Sequence, residues 1–106
     1  MKIKVNEQYN AVVVELKGNV MGGDDTKEFN DMLHKLIDEG KKNIVVDLHE
    51  VKFMNSSGLG MLVYLKKEIS RKDGELVIVS LRESVANVFR LTRLDEFFGI
   101  PPADGA

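Results

Sequence analysis

The sequence predicts an α/β domain in the broad sense that includes α+β: a mixed central β-sheet with helices packed against it. Two observations carry this. Strand-like and helix-like segments alternate as strand, strand, helix, strand, helix, strand, helix, the order that places helices against a sheet with crossover connections. Two short runs, Ile44-Val45-Val46-Asp47-Leu48 and Leu76-Val77-Ile78-Val79, are nearly all apolar and rich in β-branched residues, the pattern of strands covered on both faces.

Ile3 to Glu7 and Ala11 to Lys17 read as two strands about a turn at Gln8-Tyr9-Asn10, an opening hairpin. Gly18 to Asp25 breaks the pattern. Phe29, Met32, Leu33, Leu36 and Ile37 then recur at the spacing of one helical face. Gly40 with Lys41 and Lys42 suits that helix's carboxyl end. Ile44 to Leu48 is the expected central strand. Asn55-Ser56-Ser57 offers capping side chains, so a second helix is expected to begin at Ser56 or Ser57 and run to about Ile69. Asp73-Gly74 is a turn signal ahead of a buried strand from Glu75 to Ser80. Val85, Val88 and Phe89 mark a third helix. Leu94 to Ile100 is expected to add a short strand or turn. One domain over residues 1–100 is expected, with 101–106 a loose tail.

The 106 residues are 43% hydrophobic and 30% charged, an ordinary globular balance. A net charge of -2 offers no global field for a polyanion, so direct nucleic-acid binding is not expected. With no cysteine, thiolate catalysis, thiolate zinc sites and disulfides are excluded. No apolar run approaches the roughly 18 residues of a membrane span, and no secretory signal is legible, so a cytoplasmic location without membrane insertion is expected.

The informative stretch runs from Asp47 to Gly60, where two hydroxyls and two glycines fall at a strand-to-helix junction. The first amides of a helix lack internal partners and carry the positive end of its dipole, so a phosphoryl group is accommodated there. Gly58 and Gly60 leave backbone unshielded, so another protein can approach closely. Taken alone, the string favours a plainer role: Ser56 or Ser57 as an N-cap, with the glycines serving close packing.

The run from Val45 through Asn55-Ser56-Ser57-Gly58-Leu59-Gly60 to Leu65 resembles the signature of the STAS domain, named for sulfate transporters and anti-sigma factor antagonists. The resemblance extends over the opening hairpin, the Gly18-led loop, the signature helix and the Gly74 to Val79 strand. In that family the pattern is typically an acidic residue, Ser, then Ser, Thr or Ala, then Gly, Leu, Gly, with the first hydroxyl the phosphoacceptor. Ser56 matches the acceptor position. The resemblance implies an anti-sigma factor antagonist, non-catalytic and without a cofactor of its own. Unphosphorylated, such a protein binds an anti-sigma factor that is also its serine kinase, freeing a sigma factor for transcription. Phosphorylation of Ser56 releases it, and a serine phosphatase resets the switch. The implied partner surface is Met21, Gly22, Gly23, Asp24, Asn55, Ser56, Ser57, Gly58 and Leu59.

Asn55 departs from the pattern, since the family commonly has Asp there; the neutral amide removes a negative charge beside the acceptor and adds hydrogen-bond donors. That departure keeps open a second function on the same fold, a scaffold that is never phosphorylated or a regulatory subunit associated with an ABC transporter. A phosphoserine adds about -1.5 to -2 charge at neutral pH and at a helix amino terminus does not melt its own helix. Its expected effect is at the interface, by steric block and by repulsion alongside Asp24 and Asp25.

Other chemistries fit poorly. A nucleophile elbow would need a glycine at Met54, and a dinucleotide loop a third glycine at Val63. Asp47 at a strand end resembles a receiver's phosphoacceptor, but the first strand lacks the acidic pair that would hold magnesium. His34 and His49 are isolated in sequence and lack metal-ligand spacing. Gly22-Gly23-Asp24-Asp25-Thr26 is a candidate part of the docking surface, and Asp24 or Asp25 is also a good N-cap for the first helix. Lys41-Lys42, Lys66-Lys67 and Arg71-Lys72 are interspersed with acids and read as solvated helix ends. Met21, Met32, Met54 and Met61 read as core or interface filler.

Overall fold

Alternation along the strands decides which side of the sheet is covered. In β2 (Ala11–Lys17) Val12, Val14 and Leu16 are buried, while Ala11, Val13, Glu15 and Lys17 are only half-buried. The same holds in β3 (Asn43–Glu50), where Ile44, Val46 and Leu48 are buried, and in β4 (Glu75–Val79), where Leu76 and Ile78 are. Register aligns these sets, Val12 with Ile44 and Leu76, Val14 with Val46 and Ile78, so they form one continuous apolar face. Residues 1–101 are described by the computed structural model; of the expected tail, Pro101 is exposed and 102–106 lie outside the described residues.

β1 (Lys2–Gln8) pairs antiparallel with β2, and β2, β3 and β4 run parallel, giving a mixed sheet of order β1-β2-β3-β4. The helices α1 (Asp25–Asp38), α2 (Ser56–Arg71) and α3 (Glu83–Leu91) supply Phe29, Leu33, Leu36, Leu59, Leu62, Leu65, Ile69, Val85 and Phe89 to a single core with the buried strand residues. The fold is therefore a two-layer α/β domain. The expectation that β3 and β4 are covered on both faces is corrected: Val13, Val45 and Val77 form a row across the outer face, and Val77 is 49% exposed. β-branched residues favour the pleated backbone whether or not a layer covers them, so composition alone could not distinguish the two faces.

α1 ends as its sequence predicts. Gly40 takes φ +75°, its N–H donates to Ile37 O at 2.9 Å, and Lys41 N–H donates to Leu36 O at 3.0 Å, the paired carbonyl bonds of a glycine C-terminal motif. The segment expected as a final strand or turn is instead a short helix, α4 (Asp95–Phe98). Its buried Phe98 meets Phe89 edge-to-face at 5.1 Å, and Ile100 is also buried, so this turn closes the core beside α3.

Candidate partner-binding site

Parallel strands β2 and β3 deliver two loops to the same end of the sheet. Gly18 N–H donates to Glu50 O at 3.1 Å, Val20 N–H to Phe53 O at 3.0 Å, and Asn55 N–H to Val20 O at 3.3 Å. Val20 and Met54 form an isolated parallel bridge and are both buried, so the loops are stitched together over the core. Strand alternation then sets Met21 and Asn55, and Asn19 and Phe53, on the outer side of the pair.

The second helix begins at Ser56, but neither serine caps it. Asn55 is the N-cap, with extended backbone at φ -100° and ψ -179°, and its Oδ1 accepts from Gly58 N–H at 2.8 Å. Of the three capping candidates Asn55 takes the role, because it alone combines the extended conformation with a side-chain oxygen that reaches the third amide. Ser56 and Ser57 occupy the first two helical positions and are exposed. Among the described residues their amides donate to no protein acceptor, so the amino end of α2 keeps two free N–H groups beside the Ser56 hydroxyl.

Gly58 has an internal cause. A Cβ there would fall 2.0 Å from Val20 O, so only glycine lets α2 lie against the β2–α1 loop. Gly22, at φ +77°, is similarly enclosed: a Cβ would stand 2.8 Å from Ser57 Cβ. Both residues are buried, and Leu59 is 2% exposed and belongs to the core. These three shape the surface from beneath and present no side chain to a visitor. Gly60 is exposed with open space about it, as expected of a backbone left accessible.

Of the remaining predicted residues, Gly23 and Asp24 are exposed, Asn55 is half-buried, and Met21 is 41% exposed. Asp24 stands at the N-cap position of α1 but has helical backbone and makes no side-chain capping bond, and Asp25 is already the first helical residue. The capping role expected of these acids is therefore not made, and Asp24 is left exposed.

Besides Thr26, which the sequence placed in the candidate docking segment, residues that the sequence did not single out complete the surface. Phe53 is 51% exposed. Thr26 and Asn30 of α1 face Ser57, Gly60, Met61 and Tyr64 of α2 across a shallow groove of about 280 Å³. Nothing in the run Val51-Lys52-Phe53-Met54 marks Phe53 as outward, since its apolar neighbours Val51 and Met54 are both buried. The loop carrying it is anchored from α3: Arg82 Nε donates to His49 O at 2.8 Å and Ser84 Oγ to Lys52 O at 3.0 Å. Among the described residues no helix is long and apolar enough to cross a membrane.

Comparison with known proteins agrees with this architecture. An anti-sigma-B factor antagonist of Staphylococcus aureus is 29% identical over 73 residues, covering 69% of this chain and 68% of that protein. A crystal structure of an anti-sigma factor antagonist from Mycobacterium paratuberculosis superposes with a TM-score of 0.79 at 20% identity, over 97% of this chain and 86% of that one. The phosphorylated form of the Bacillus cell fate determinant SpoIIAA gives 0.72 at 18% identity, over 98% and 93%. At those identities the two structures speak to the fold. The STAS domain family model matches residues 2–104, nearly the whole sequence, and the chain belongs to the STAS domain family.

Proposed function

We propose that this chain is an anti-sigma factor antagonist: unphosphorylated, it binds an anti-sigma factor that is also its serine kinase, and phosphorylation of Ser56 releases it, so that sigma-dependent transcription follows the phosphorylation state. The single observation that carries the reading is the exposed Ser56 hydroxyl at the first position of α2, beside two unpartnered amides. A kinase can reach that hydroxyl without unfolding anything. The helix terminus tolerates the product, because the free amides and the dipole favour an anion. The effect therefore falls on the visitor, which meets a bulkier and more negative surface beside Asp24.

Asn55 is compatible with this reading. Its capping contact to Gly58 N–H uses a side-chain oxygen, the group that Asn and Asp share, so the acceptor's setting does not depend on a charge at residue 55. The sequence relative named an antagonist supports the partner class. A kinase, a phosphatase that restores the hydroxyl, and a cytoplasmic setting for the exchange belong to the same proposal.

The test is incubation with an anti-sigma factor of serine-kinase type from the same organism and ATP, followed by mass measurement. One added phosphoryl group, lost in Ser56→Ala, supports the proposal. A stable complex without mass gain supports the constitutive scaffold instead.

A further inference from the structure

We infer that Phe53 is the apolar anchor by which the partner that acts on Ser56 docks, and that this partner carries an apolar pocket beside its phosphoryl-transfer centre. The inference rests on the proposed role of Ser56 and adds to it a recognition residue and the feature on the partner that matches it.

Phe53 is three residues from Ser56, so their Cα atoms are at most about 11 Å apart. A specific interface covers about 800 Å² on each partner, a disc of roughly 16 Å radius. An enzyme surface centred on the Ser56 hydroxyl thus covers Phe53 as well, and Met21, next to the Val20 that bridges Met54, falls under the same footprint. These are the two large apolar side chains exposed on the outer side of the stitched loops, 51% and 41% respectively.

The position is also held in place. The carbonyl of Phe53 accepts from Val20 N–H, the preceding carbonyl of Lys52 accepts from Ser84 Oγ, and the following residue Met54 is buried. An aromatic ring on a fixed backbone binds at little ordering cost, which is the character of interface hot spots. Its solvent exposure in the free chain is otherwise unexplained by the core.

The experiment measures the affinity of the same anti-sigma factor for wild type, Phe53→Ser, Met21→Ser and Leu91→Ser, with thermal melts of each. Leu91 is an 84% exposed apolar control at the end of α3. Phe53→Ser is expected to weaken binding about 30-fold, Met21→Ser less, and Leu91→Ser under twofold, all melting like wild type. Wild-type binding with Phe53→Ser within threefold overturns the anchor and leaves the function standing. No binding by wild type overturns both. Should Phe53→Ser melt early, Phe53→Gln, which keeps much of the volume but not the apolar group, is measured instead; an affinity loss of about tenfold supports the anchor, and no loss overturns it.

Discussion

Gly58 and Gly60 lie two residues apart on α2 in opposite surroundings. A methyl group at Gly58 runs into the backbone carbonyl of Val20, which cannot move without breaking its bond to Asn55 N–H. Gly58→Ala is expected to cost about 3 kcal/mol in denaturant unfolding. At Gly60 the same methyl group meets open space, and relief of glycine's backbone entropy in a helix is expected to gain about 1 kcal/mol. Asn55→Ala removes the acceptor of Gly58 N–H and is expected to cost about 1 kcal/mol, whereas Asn55→Asp keeps it. The sequence announced a helix start at this place because Asn, Ser and Ser all cap well. It could not say which of the three does so, since that depends on which residue is held extended by the neighbouring loop.

Elements were legible where their periodicity had room to repeat. The helical face of α1 is long enough to show one, whereas β3 and β4 were legible from their β-branched composition, which did not reveal their alternating burial. α4 is too short: Asp95-Glu96-Phe97-Phe98 completes barely one turn, and its helical state is fixed by Phe98 packing on Phe89. α3 matters to the candidate site through its first turn, where Arg82 and Ser84 reach back to the carbonyls of His49 and Lys52. Each is a hydrogen bond between residues more than thirty positions apart, a relation no local pattern contains. Arg82→Ala is expected to speed amide hydrogen exchange at residues 49–53 about fivefold, from the loss of one bond worth about 1 kcal/mol, with little change in strands β2 and β3.

At the scale of the molecule, all the helices supply one core on one side of the sheet and leave the row of Val13, Val45 and Val77 outside it. Val77→Thr is accordingly expected to alter stability by under about 0.5 kcal/mol, while Ile78→Thr, one residue along on the core face, is expected to cost about 2 kcal/mol; paired urea titrations separate the two. The same topology explains why the candidate site forms where it does. The carboxyl ends of parallel strands β2 and β3 bring two loops distant in sequence into one hydrogen-bonded pair, an arrangement common to binding sites of α/β sheets. Its centre, Ser56, was readable from a motif, but its breadth was not: Phe53, Asn30 and Tyr64 join it only once the chain is folded. The account turns on whether charge placed at Ser56 acts on the visitor and spares the fold. Titrating the anti-sigma factor with phosphorylated and unphosphorylated chain, and melting both, tests this directly. An affinity at least 30-fold weaker after phosphorylation, with a melting temperature unchanged or slightly raised, is expected. Equal affinities, or a phosphorylated chain that melts far earlier, would contradict it.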